Sequence, residues 1–353
     1  MWQLDNRTPF AAERGWVRDR DGTEIWLVAV KANFTLQEEG HLRVADMQPE
    51  ALRGPLHRGD PASTGLIADA DLVRTRVATD VIVNAQAHAP GGVPVTELDV
   101  GLAVAGRAKV LKVFGDRLWQ GRGIGRPVPF TVMPIVWERA FGGSDPKATS
   151  PAWDERNPVG QGFAVDGDHV DGRCLPNVED PDHLIRGWKD RPVPAGFGAL
   201  CSHWAERRRF AGTYDERWQR ERLPLLPDDF DDRHYQCAPP DQQHPGFLRG
   251  GETVTLLNLT PGGGQVRFAL PRVFLGMETF FNDGHRERHA PPRLHTVILT
   301  PDERQVSLVF HSALPCHPRV LRLERTRIWL KQDLRDGVLG APVPDEADQP
   351  EAA

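Results

Sequence analysis

Between Trp137 and Gln243 the chain loses its hydrophobic period, and that gap constrains the fold more than any other feature. Before and after it, apolar and polar residues alternate with the period of two that marks strands. Inside it, Gly, Pro, Trp and Asp crowd into short blocks: W-E-R-A-F-G-G (137–143), N-P-V-G-Q-G-F (157–163), L-P-N-V-E-D-P (175–181), P-A-G-F-G-A-L (194–200), G-T-Y-D-E-R-W (212–218) and A-P-P-D-Q-Q (238–243). A segment this long without period is uncommon in a compact domain. If it is ordered, buried aromatics and side-chain hydrogen bonds to the backbone must pin it, because no ladder can. Function concentrates on such segments when a rigid scaffold holds them.

The first flank reaches a hairpin signal at Asp21-Gly22. In the following strand, 24–34, Trp26, Val28, Val30, Ala32 and Phe34 share one face. Ile25 and Leu27 make the first half of the other face apolar too, so that half is covered on both sides. Residues 37–75, broken by Pro49, Pro55 and Pro61, read as irregular with a short edge strand. Strands at 79–88, 98–104 and 109–114 read as a meander. In the second flank, 253–259 turns through Pro261-Gly262-Gly263-Gly264 into 265–270, and 294–298 turns at 301–304 into 306–310. A last strand runs through Leu321, Leu323, Ile328 and Leu330. In the middle block, Thr213 with Glu216 predicts a capping box opening a helix over 213–222, with Tyr214 and Trp218 on one face. A second short helix fits 201–209.

These patterns predict a mainly β protein: sandwich-like antiparallel sheets with a long, irregular central insertion carrying one or two short helices. Neither strand-rich flank, 1–125 or 250–335, has enough strands to cover its own edges and faces. Stacking them buries both, which argues for one domain over 1–340 with an insertion at 126–249 and a disordered acidic tail at 341–353.

The net charge of −6 does not favour a nucleic-acid partner. No run approaches the ~18 apolar residues of a membrane span. The start, M-W-Q-L-D-N-R-T-P-F, lacks a basic stretch followed by an apolar one, so no secretory signal is expected. Cys174, Cys201, Cys237 and Cys316 are widely spaced without C-x-x-C, as in a reduced, cytoplasmic protein.

No nucleophile elbow and no phosphate-binding loop occurs. Gly121, Gly123 and Gly125 lack the following helix that a dinucleotide loop needs. The acidic runs D-G-D-H-V-D-G (166–172) and D-D-F-D-D-R (228–233) miss the glycine position of a calcium loop and read as turn and cap carboxylates. His234 with Cys237, and Cys316 with His317, are too few for a structural zinc. No metal and no cofactor is therefore expected. A Cys201 or Cys237 nucleophile with His203 or His234 as base is the remaining covalent chemistry. Five of the ten tryptophans fall in the middle block: Trp137, Trp153, Trp188, Trp204 and Trp218. They either pin the insertion to the sheets or face a partner.

Taken together, V-R-D-R-D-G-T-E-I-W-L-V-A-V-K-A-N-F, P-V-T-E-L-D-V, W-E-R-A-F-G-G, N-P-V-G-Q-G-F, G-T-Y-D-E-R-W-Q-R-E-R-L-P-L-L-P-D-D-F-D and A-P-P-D-Q-Q resemble a bacterial family known as domain of unknown function 2169. The similarity runs from N-R-T-P-F to about Leu330. The resemblance implies a link to type VI secretion. Members are typically encoded beside the VgrG spike and PAAR-like spike-tip proteins, and act as cytoplasmic adaptors or chaperones that load effectors onto the spike. It carries over no catalytic residues. The expected partner is thus a PAAR-like protein or effector, with VgrG as a further one. The expected contacts are Trp137, Phe141, Tyr214 and Trp218. Two alternatives stand beside this: a hydrolase using the Asp228–His234–Cys237 region, and a structural spike accessory that is itself secreted.

Overall fold

The computed structural model describes residues 2–342. Of the expected acidic tail, Ala341 and Pro342 end a short strand, Val338–Pro342, and the remainder lies outside the described residues. The fold is mainly β, as the alternation predicts, and among the described residues only two short α-helices occur, Ala205–Arg208 and Glu216–Glu221.

The largest sheet runs in the order Gln243–Pro245, Ala78–Val83, Arg293–Thr300, Gln305–Pro315, Glu24–Leu36 and Ala11–Arg18, with Leu42–Val44 beside the far end of Glu24–Leu36. The Asp21-Gly22 turn joins Ala11–Arg18 to Glu24–Leu36, with Gly22 at φ 86°. The long strand is covered on both faces along nearly its whole length, not only its first half. Its polar members are enclosed with partners: Lys31 Nζ sits 3.1 Å from Asp71, and Asn33 Nδ2 donates to Met47 O.

A five-stranded sheet runs Val178–Glu179, Arg107–Phe114, Glu97–Val104, Thr253–Leu257 and Gln265–Ala269. It interleaves the flanks, since Leu102 stands opposite Leu256, and the insertion supplies one edge. A four-stranded sheet combines Gln3–Asn6, Leu323–Leu330, Leu275–Phe281 and Arg286–Arg288. One apolar cluster draws on all three sheets, through residues such as Val30 and Val81, Leu102 and Leu256, and Met277 and Ile328.

The expected meander needs correction. Glu97–Val104 and Arg107–Phe114 do form a hairpin, but Ala78–Val83 belongs to the large sheet, parallel to Arg293–Thr300 with Val81 opposite Val297. The cause is burial on both faces. Val81 and Val83 enter the main core, while Ile82 enters a second cluster with the insertion. Asp80, which alternation places outward, is fully enclosed. It pairs with Arg76 at 2.6 Å and accepts from Gln236 Nε2 and Cys237 N.

A buried polar chain crosses from the large sheet to the four-stranded one. Trp26 Nε1 donates to Thr326 Oγ1 (2.9 Å), which lies 2.7 Å from Thr279 Oγ1. Thr279 Oγ1 is 2.7 Å from His289 Nε2, and His289 Nδ1 is 2.8 Å from Ser312 Oγ. An indole N–H can only donate. Thr326 Oγ1 therefore accepts from Trp26, and the donors in the later contacts follow the tautomer of His289.

Candidate functional site

The insertion's motifs lock to one another. Trp137 stands on a single 3-10 turn, donates Nε1 to Ala199 O (2.9 Å), and meets Trp204 edge-on at 5.8 Å. Gly196 and Gly198, from P-A-G-F-G, let the backbone pass against this indole. Asn157, from N-P-V-G-Q-G-F, is wholly enclosed, and its Nδ2 donates to Trp137 O (2.8 Å) and Phe141 O (3.0 Å). Phe141–Gly142 pairs in parallel with Gln161–Gly162. Gly143 holds φ at 83°, and a Cβ there would lie 2.1 Å from Gly160 O. These positions demand glycine because another backbone occupies the side-chain space.

Two further motifs act the same way. In A-P-P-D-Q-Q, Gln242 Nε2 donates to Val81 O and Phe197 O, and Lys109 Nζ reaches Asp241, Gln242 and Gly196 O. In L-P-N-V-E-D-P, Asn177 Nδ2 donates to Phe114 O, while Glu179 pairs with Arg117 and accepts from Ile185 N. Each satisfies backbone groups that a segment without ladders leaves open.

Of the four expected contact residues, Trp137 (4% exposed) and Phe141 (2%) are therefore interior. Their aromatic area is already spent on the insertion's own clusters, so the expectation of a contact role for them is corrected.

Tyr214 and Trp218 are placed differently. Tyr214 is 52% exposed and Trp218 half-buried, and their rings meet edge-on at 4.7 Å. The helix Glu216–Glu221 is capped by Asp215, which accepts from Trp218 N (2.8 Å), and not by the expected Thr213. Thr213 is taken by Asp229, which accepts from its amide (2.9 Å) and its hydroxyl (2.7 Å). Trp218 Nε1 donates to Leu225 O. Beside the pair lies a cleft of about 280 Å³ lined by Trp218, Arg217, Arg222, Asp228 and Asp229. It is a fixed aromatic projection with charged groups of both signs around it.

The residues considered for covalent chemistry are spread out. Asp228 pairs with Arg222 (3.1 Å) in that cleft, which neither His234 nor Cys237 lines. Asp232 pairs with Arg74, and His234 Nδ1 lies against Arg207 O. Burial pushes the His234 imidazole down and the Cys237 thiol well above its ordinary value. Burial likewise pushes Cys201 up to about 12, opposite to what a nucleophile needs. In 166–172, Asp166 caps a 3-10 turn, Asp168 pairs with Arg122, and Asp171 accepts from Gly121 N. The glycines at 121–125 form a small hairpin, Trp119–Gln120 with Gly123–Ile124.

Two features escape the sequence reading. One is the Ser312–His289 contact, whose partners come from separate strands and loops with no local motif. The other is an apolar groove beside G-F-L-R-G-G (246–251), whose only local signal is a bulky residue between glycines.

The sequence profile of the family described as "Uncharacterized protein conserved in bacteria (DUF2169)" matches residues 21–311, spanning both flanks and the whole insertion. No curated protein and no solved structure matches the chain.

Proposed function

We propose, from the premise that the chain belongs to this bacterial DUF2169 family, that it is a non-catalytic cytoplasmic adaptor of type VI secretion. It holds an effector, or the effector's PAAR-like domain, and helps load it onto the VgrG spike. The observation that carries the reading is the Tyr214–Trp218 pair at the surface, with Trp218 on a capped helix and Tyr214 just ahead of the cap. Five motifs of the insertion spend their aromatic and amide groups internally, and this one presents them outward. Aromatic anchors held in place before binding lose little entropy when they dock, which is the usual character of interface hot spots. The mixed charges of the adjoining cleft suit a polar rim.

The test mixes the full chain with the PAAR-like protein encoded beside it and measures binding by calorimetry. A complex with a dissociation constant of about 1 μM or tighter is expected, weakened about tenfold or more by Tyr214→Ala with Trp218→Ala. No heat of binding at about 100 μM overturns the reading.

A further inference from the structure

A second surface lies where the last residues of the insertion, 246–249, meet the large and four-stranded sheets. It is a groove of about 550 Å³. Leu294 and Phe310, cross-strand neighbours in the large sheet, line it together with Leu275 of the four-stranded sheet. Register shifts between Leu294 and Thr296, which leaves His295 without a cross-strand partner in this pairing. Phe274, 38% exposed, forms one wall.

Phe247 forms another wall. It holds φ at 63°, a conformation costly for a bulky residue and maintained only where the surroundings impose it. Its ring stacks on His295 at 5.8 Å, and His295 stacks on His311 at 4.4 Å, so the wall is backed by the large sheet. Leu248 N donates to Thr79 Oγ1, which fixes the adjoining loop.

The charge of this groove runs against that of the chain. Among the described residues, Arg249, Arg293 and Lys331 line it and no carboxylate does, although the chain carries −6 overall. Arg293 lies over Phe247 at 5.1 Å, and neither Arg249 nor Arg293 has an ion-pair partner among the described residues. An apolar floor rimmed by Arg249 and Arg293 selects a ligand by two properties at once: apolar side chains to bury, and carboxylates beside them.

We propose that this groove is a docking site for an extended segment of a partner protein in which apolar side chains are flanked by Asp or Glu. It stands apart from the Tyr214–Trp218 surface and does not depend on a role in secretion.

The probe is a short fluorescein-labelled peptide alternating Leu and Phe with Glu, compared with its twin carrying Gln for each Glu. Binding to the full chain is followed by fluorescence anisotropy at low salt. The Glu peptide is expected to bind about tenfold or more tightly than its twin, and Arg249→Glu with Arg293→Glu to abolish that preference. Arg249→Gln with Arg293→Gln should narrow it, and Phe274→Ala should weaken both peptides. Both arginines are exposed, so the changes leave the core intact. Equal binding of the peptides, a preference that survives charge reversal, or no binding at about 1 mM overturns the proposal. So does binding only after truncation behind Pro342, which would assign the groove to the chain's own acidic segment. A change of sedimenting mass on charge reversal would assign it to a second copy and overturn the proposal as well.

Discussion

Trp137 and Trp218 sit in motifs of similar composition, each with a glycine, an acidic residue and a second aromatic close by. Trp137 is enclosed on every side, by Trp204, by two glycines and by the carbonyl of Ala199. Trp218 has one neighbouring ring, one carbonyl, and a cleft open to solvent. What separates them is the destination of the hydrogen bonds. Around Trp137, the amide of Asn157 ties two motifs together across the interior. Around Trp218, Asp215 caps its own helix and Asp229 reaches back to Thr213, and both make these bonds at the exposed surface. A motif rich in glycine and tryptophan therefore marks a site of close backbone approach first, and marks a docking surface only when its polar groups bond at the exposed surface and not in the interior.

The hardest blow to this contrast is Gly143→Ala, which puts a methyl into the space of Gly160 O. A loss of about 4 kcal/mol in urea unfolding is expected, and Asn157→Ala should cost about 3 kcal/mol by leaving two enclosed carbonyls unpaired. If either is neutral, the knot is not what holds the insertion.

Acid sharpens the contrast by attacking the sheets beneath the knot. Burial holds His289 near pH 4 and His311 near pH 3, and pushes His295 well below its usual value. The neutral rings contribute stability that is fully present above about pH 6.5, their unfolded value, and is lost as pH falls toward those folded values. Between pH 7 and 5, His289 and His311 should each lose about 2 kcal/mol, measured by urea unfolding at both pH values. The smallest effect belongs to the projection. Trp218→Ala should lower stability by only about 1 kcal/mol, the scale of one exposed aromatic pair. A loss as large as that of Gly143→Ala would show that the two regions are alike.

Much of the scaffold was legible from its alternation. The hairpins at Asp21-Gly22, Pro261–Gly264 and 301–304 are where turn residues and period two place them. Two errors share one origin, the replacement of a local partner by a distant one. Ala78–Val83 looks like one strand of a meander, yet its neighbour is Arg293–Thr300. Thr213 fits a capping box, yet Asp229 claims its hydroxyl and Asp215 takes over the cap. The Phe141–Gly142 pairing was out of reach for a related reason. Two residues carry no period, and what aligns them is a side chain elsewhere in the insertion. The aromatic contact at 214–218 was readable because it is local, although the helix begins at Glu216 and Tyr214 stands before its cap instead of on its face. The groove was not, because its lining comes from five separated stretches.

The chain from Trp26 to Ser312 rivets the large sheet to the four-stranded one at both of its ends. A serine beside a histidine would ordinarily invite comparison with a nucleophile and its base. Here both side chains are enclosed, and the imidazole is held on its other side by Thr279. The contact is a clasp between layers, closed to any substrate by the strands that carry it.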